Sequence, residues 1–317
     1  MRNNQLPLAQ PDDFLPGWYA IASSRELVRN KPRSFERFGV SWVVFRSTDG
    51  VAVLRDRCPH RGVSLSRGQV IDGHIECPFH GFQFDAAGKC THIPAHGSEG
   101  KIPRRMCTPS LPAREAHGFI FAWWGAVPAA LPDIDWFHQD TASCTGFYET
   151  AVDTQVGLSR NIENQLDFTH IPFVHRKTIG RLVDGPEMEV DVAVDGHRLR
   201  AWLRGDPEAI ELRLPNIWIN RFSPVAFGIL AFAPIDRERT RIYSRSYQRR
   251  VRFPVLAGVV NWLMGQSNRF ILAEDIPVVD THQPKVSPRL DGTEVLIPSD
   301  APIIAYRKQR ARLTAPG

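Results

Sequence analysis

Two cysteines and two histidines crowd into CPHRGVSLSRGQVIDGHIECPFHG, the stretch from Cys58 to Gly81. Cys58 and His60 are separated by one residue, Cys77 and His80 by two, and 16 residues lie between the pairs. Thiolates are soft ligands and imidazoles suit several transition metals, so the set reads as a metal site. Two chemistries compete for it. A Cys2His2 zinc site has the right ligand count. Zinc-finger histidines usually come together on a helix, however, whereas here each pair couples one Cys to one His in a loop bearing Pro and Gly. The loops match: Cys-Pro-His-Arg-Gly and Cys-Pro-Phe-His-Gly. Such a pair suits a two-iron cluster with mixed thiolate and imidazole ligation.

A second set lies in NIENQLDFTHIPFVH, residues 161–175, where Asn164, Asp167, His170 and His175 are spaced 3, 3 and 5 apart. Steps of 3 and 4 keep side chains on one face of a helix, and a step of 5 does not. Pro172 removes a helical hydrogen bond and predicts an irregular turn between the two histidines, after which both imidazoles can face one metal. A carboxylate must come from elsewhere. In FILAEDIPVVDTHQ (270–283), Asp275 shares a helical stripe with Ile271, Val278, Val279 and His282, so a charge falls on an otherwise buried face. A buried carboxylate needs a partner, and a metal is one. Glu274 and Asp280 are its rivals.

The elements that must position these groups differ between the two halves. From Trp18 to about Gly125, short runs (WYAIA, SWVVFRS, VAVLRD, FQFDAAGKC, HGFIFAWWG) alternate with turn residues and predict an all-β domain. A proline-bearing passage around Val127, Pro128 and Pro132 predicts a boundary near residues 128–140. Beyond it, SRNIENQLDFTHIPFVHRKT reads as helical for much of its length. EMEVDVAVDGHRLRAWLRG, LRLPNIWINRFSPVAFGILAFAPI and IYSRSYQRRV return to strand alternation, and Pro254 to about Thr281 reads as helix. The class is α+β: an all-β domain followed by a large antiparallel sheet covered by helices. On that sheet Trp218, Asn220, Arg221, Phe222 and Phe232 are positional candidates for a substrate pocket, against the simpler reading of each as sheet core or surface.

The 58–81 stretch, including the glycine after each Cys-His pair, resembles the Rieske [2Fe-2S] family. The Asp-x-x-His-x-x-x-x-His pattern resembles the mononuclear iron site of Rieske non-heme iron oxygenases, and the resemblance covers nearly the whole chain. It implies a Rieske domain at 1–135, with Cys58, His60, Cys77 and His80 on the cluster, and a catalytic domain at 136–317, with His170, His175 and Asp275 on Fe(II). It implies that Asp167 orients His170 and touches a Rieske His, His80, across a subunit interface, which requires a homotrimer, and that Asn164 lies near the iron. The activity implied is O2-dependent hydroxylation or oxidative demethylation of a small molecule. Electrons would come from NAD(P)H through a ferredoxin or flavin reductase. The length resembles compact monooxygenases and demethylases, including natural-product tailoring hydroxylases. A Rieske-type electron-transfer protein requires only the first site, and a zinc-binding module neither redox activity nor O2.

Composition sets outer limits. With 43% hydrophobic and 23% charged residues the chain can bury a core, which argues against disorder. The net charge of +5 comes without an aromatic-interleaved basic run, so nucleic acid is not an expected partner. The longest apolar run, Phe253 to Gly265, is shorter than the roughly 20 residues that span a bilayer, and no secretory leader is evident. The expectation is a cytoplasmic protein with no membrane partner. Cys90, Cys107 and Cys144 carry no signature and read as reduced packing residues.

Overall fold

The computed structural model describes residues 14–97, 100–182, 188–205, 209–288 and 290–314. Residues 1–13, on which the leader reading rests, lie outside it, as does Glu187, the first residue of one expected strand. Two compact units divide between Ile134 and Asp135.

The first unit is all-β. Its strands are β1 (Gly17–Ser23), β2 (Arg33–Arg37), β3 (Val40–Ser47), β4 (Gly50–Arg55), β5 (Gln69–Ile71), β6 (His74–Glu76), β7 (Gln83–Phe84), β8 (Cys90–His92), β9 (Ser110–Leu111), β10 (Ala113–Ala116) and β11 (Phe119–Trp124). They form three sheets, ordered β1-β11-β10, β2-β3-β4-β9 and β5-β6-β7-β8. Every residue of β1 and β11 is buried, which is why both read as continuous apolar runs. The expected strand FQFDAAGKC is instead two short strands around a turn: Asp85 accepts from the N–H groups of Ala87 and Lys89 and punctuates it. A core of Val43, Phe45, Leu54, Leu65, Ile75, Phe84 and Cys90 packs directly against Cys58 and Cys77, so the two candidate thiols sit at its edge.

The second unit carries a seven-stranded antiparallel sheet in the order β12-β18-β17-β16-β15-β14-β13. Its strands are β12 (Tyr148–Thr154), β13 (Val190–Asp195), β14 (Arg198–Leu203), β15 (Ile210–Arg213), β16 (Ile217–Ser223), β17 (Ala226–Pro234) and β18 (Thr240–Gln248). The helices are α1 (His138–Thr141), α2 (Leu158–Leu166), α3 (Ile171–Val174), α4 (Pro254–Val279) and α5 (Ala301–Thr314). α4 packs on β12 and β18, held by Asn268 donating to Ser246 Oγ (2.8 Å) and Gln266 donating to Tyr148 Oη (3.3 Å). Ser246 pairs with Gly228, which pairs with Asn220, so these positions share the α4 side of the sheet.

The stretch 159–178, expected to be helical for much of its length with an irregular turn at Pro172, forms two helices, and the break comes earlier, at Asp167. Asp167 leaves helical geometry (ψ 113°) while its Oδ1 accepts from the Thr169 N–H (2.8 Å) and hydroxyl (2.7 Å). That local pair competes with the helix ladder. Pro172 sits in the first turn of α3, where no helical N–H is needed.

Candidate metal centres

The first candidate centre consists of two copies of one loop. In each, the Cys N–H donates to the carbonyl of the residue after the glycine: Cys58 to Val63 (2.8 Å), Cys77 to Phe82 (2.8 Å). In each, the glycine N–H donates back to the Cys carbonyl: Gly62 to Cys58 (2.8 Å), Gly81 to Cys77 (3.0 Å). Both glycines have left-handed φ, 77° and 71°, a conformation costly to any other residue, which explains a glycine at the same place in both motifs. The first loop is clasped from behind by buried Asp56, whose carboxylate accepts from Ser34 Oγ (2.8 Å), Ser66 N (2.8 Å) and Ser66 Oγ (2.6 Å).

The thiols of Cys58 and Cys77 are buried, whereas His60 and His80 are exposed with ring centroids 4.8 Å apart. Burial pushes the Cys58 thiol up to about 11, with the nearby Cys77 sulfur adding to it and the N–H groups of His60 and Arg61 opposing. Two sulfurs in a dry pocket beside two imidazoles form a donor set that a cationic iron pair stabilises and bare thiolates do not.

The second centre is drawn from two helices. His170 caps α3 at its N-terminus, His175 at its C-terminus, and Asp275 lies on the buried side of α4. His175 Nε2 stands 3.1 Å from Asp275 Oδ1, His170 Nε2 is 3.5 Å from the same oxygen, and the two Nε2 atoms are 3.3 Å apart. Edges of that length suit three ligands about 2.1 Å from a common first-row cation. Asp275 and His175 are buried, and Asp275 Oδ1 receives no hydrogen bond despite these approaches. Burial alone would raise the Asp275 carboxyl, but His170 and His175 outweigh it and hold the group at about 2. Burial likewise opposes a charge on His175, and the Asp275 and Glu274 carboxylates more than offset that, raising its pKa above the ordinary imidazole value. The pocket therefore favours a positive charge between the three atoms.

The other expected residues stand apart from this triangle. Glu274 faces the far nitrogen of His175, with Oε2 3.1 Å from Nδ1. Asp280 caps a backbone, accepting from the Gln155 N–H (2.7 Å). Asp167 Oδ2 is 3.9 Å from His170 Nδ1, outside hydrogen-bond distance, and that buried nitrogen has no partner. Asn164 is half-buried on α2. Of the stripe expected around Asp275, Val279 is buried, Ile271 and His282 are half-buried, and Val278 is half exposed. Among the sheet candidates, Trp218 and Phe232 are buried on the α4 side with Asn220, and Phe222 is exposed. Arg221 lies on the opposite side, paired with Asp140 (2.8 Å) and Glu211 (3.4 Å). Sequence reasoning had no role for Thr178, whose hydroxyl donates to Glu274 Oε2 (2.5 Å).

Comparison with known proteins matches two stretches of the chain. Residues 17–112 match the Rieske [2Fe-2S] domain, and residues 155–216 match the vanillate O-demethylase oxygenase C-terminal domain. The chain is therefore similar to Rieske oxygenases, pairing a Rieske domain with a stretch like an oxygenase C-terminal domain. Among its curated relatives, a vanillate O-demethylase oxygenase subunit of Pseudomonas sp. (strain ATCC 19151) is 34% identical over 203 residues, 57% of this chain and 59% of that one. The dicamba O-demethylase oxygenase component of Stenotrophomonas maltophilia is 36% identical over 164 residues, 50% and 45% of the two chains. Chlorophyllide a oxygenase of Chlamydomonas reinhardtii is 38% identical over 167 residues, 52% and 25%. The chain thus spans between a quarter and three fifths of these relatives' lengths. Its fold is that of Pseudomonas putida CBB5 NdmA, with a TM-score of 0.82 at 22% identity over 96% of this chain and 91% of the other. Among its described residues no helix is long and apolar enough to cross a membrane.

Proposed function

We propose that the protein is a terminal oxygenase that hydroxylates a small organic molecule or removes an O- or N-methyl group from it. Cys58, His60, Cys77 and His80 would hold a [2Fe-2S] cluster, and His170, His175 and Asp275 a mononuclear Fe(II). The observation that carries this reading is the convergence of His170, His175 and Asp275 at 3.1–3.5 Å in a chain that also holds the paired Cys-His loops. When bound, the cluster supplies single electrons and the mononuclear iron supplies activation of O2.

In balance, O2, two electrons and two protons convert a C–H bond to C–OH and release one water. When that carbon is a heteroatom-bound methyl, the hydroxymethyl product leaves as formaldehyde and the heteroatom keeps a hydrogen. The chain's own residues position and protect this chemistry. His170, His175 and Asp275 would hold the iron as a two-histidine, one-carboxylate set, the donor chemistry of O2-activating non-heme iron sites. The exposed edges of His60 and His80 suit exchange of electrons with a reductase or ferredoxin fed by NAD(P)H. Thr169 occupies Oδ1 of Asp167 and leaves Oδ2 directed at His170. On this reading Asp167 bridges to His80 of a neighbouring chain in a homotrimer, and Asn164 lies close to the iron. A cytoplasmic setting is part of the same reading.

The test is His170→Ala. Product formation is expected to be lost while the visible spectrum of the cluster is unchanged. Turnover surviving the substitution would overturn the assignment of the iron site.

A further inference from the structure

Consecutive residues of α4 approach the two nitrogens of one imidazole. Asp275 Oδ1 lies 3.1 Å from His175 Nε2, and Glu274 Oε2 lies 3.1 Å from His175 Nδ1. Side chains one residue apart on a helix diverge by about 100°. Reaching opposite edges of the same ring is therefore a feature of how α3 and α4 meet. Glu274 is itself held: Thr178 donates its hydroxyl to the same Oε2 (2.5 Å), while the Thr178 N–H donates to the His175 carbonyl (2.9 Å). Carboxylate, threonine and histidine close a small circuit that fixes the plane of the ring.

His170 offers the contrast. Its Nδ1 is buried without a partner, and the nearest carboxylate oxygen, on Asp167, is 3.9 Å away. Among the described residues, then, only one of the two imidazoles has its outer nitrogen engaged by a carboxylate.

We infer that Glu274 is a positioning residue that accepts the Nδ1 proton of His175, locking the tautomer in which Nε2 offers its lone pair to the metal, with Thr178 setting the direction of that carboxylate. The inference rests on the iron site proposed above. A carboxylate behind a metal-binding imidazole raises the ligand's basicity and removes the competing tautomer, and loss of such a partner costs roughly 10- to 100-fold in metal affinity.

The experiment measures Fe(II) affinity by anaerobic equilibrium dialysis of the cluster-loaded protein, with a parallel Co(II) titration read by visible absorption. Glu274→Ala is expected to weaken binding about 10- to 100-fold. Glu274→Gln keeps an acceptor oxygen and is expected to recover most of that loss. Thr178→Val is expected to fall between Glu274→Ala and the parent. The cluster spectrum and far-ultraviolet circular dichroism of each variant report that the chain is folded. Parent-like affinity in Glu274→Ala would overturn the inference, as would equal losses in Glu274→Ala and Glu274→Gln. Asp275→Ala separates the two readings. If it too leaves Fe(II) affinity unchanged, the iron site itself is wrong, whereas loss in Asp275→Ala alone leaves the site standing and removes Glu274's role.

Discussion

The residues most legible in the sequence are those whose role is set by a short local motif. Cys58, His60, Cys77 and His80 sit in five-residue loops whose backbone closes on itself, so spacing alone carries the geometry. Glu274 could not be separated from Asp275 in this way. Which of two adjacent carboxylates meets the near nitrogen of a histidine 99 residues away depends on how α4 is rotated against α3, and no local pattern records that rotation. The helical stripe pointed to Asp275 as the ligand, and for Glu274 adjacency to it was the only signal. The loop glycines yield a prediction at this scale. A Cβ on Gly81 would meet Pro94 Cγ at 3.0 Å, on a backbone with φ 71°. Gly81→Ala therefore combines left-handed strain with a close contact, and is expected to destabilise the first unit by about 1–3 kcal/mol. Thermal loss of the cluster's visible absorbance checks this, the expected result being a clear downward shift in the midpoint. An unchanged midpoint would show that the loop tolerates a different backbone.

At the level of elements, strands declared themselves wherever one or both faces are buried, and the 26-residue helix α4 followed from its length and apolar content. The break between α2 and α3 was expected one turn too late because proline is a visible breaker, whereas an aspartate bonding to a threonine two residues on resembles ordinary helix sequence. Nothing in the sequence announced what holds α2 in place. Glu163 on α2 pairs with Arg160 on the same helix (3.2 Å) and with Arg307 on α5 (2.7 Å). Glu294 accepts from both arginines, at 2.6 Å each. Arg160, Glu163 and Arg307 are all nearly inaccessible to solvent. Their partners lie up to 144 residues apart, a separation that periodicity cannot bridge. Removing one member strands a buried charge, which typically costs about 3–5 kcal/mol. Arg307→Met is therefore expected to lower stability by about that amount in chemical denaturation, with unfolding of the second unit shifted and the cluster absorbance of the first retained. A change below about 1 kcal/mol would mean that the network contributes little beyond what water provides.

For the molecule as a whole, the two candidate centres differ in how they would hold their metals, and that difference can be measured without a known substrate. At the first, two buried sulfurs lie against the core of the first unit, and each of their loops is closed by paired backbone hydrogen bonds. Extracting that metal exposes thiolates that burial strongly disfavours, the cause that pushes Cys58 up to about 11. At the second, three donors converge from one side, and three ligands leave positions open to a competing chelator. Mild anaerobic chelation is therefore expected to strip only the iron in excess of the cluster, leaving the visible spectrum and the iron-to-sulfide ratio of a [2Fe-2S] protein. Added Fe(II) should refill the second site in the parent but not in Asp275→Ala. Product formation, once a substrate is found, should follow the refilled iron and be restored by Fe(II) but not by Zn(II), which binds such ligands yet has no redox chemistry. Iron and cluster absorbance falling together would contradict this picture, because it would mean that the second triangle never held a separate ion. Loss of the excess iron alone, reversed by Fe(II), would tie the 3.1–3.5 Å convergence of His170, His175 and Asp275 to a working metal site.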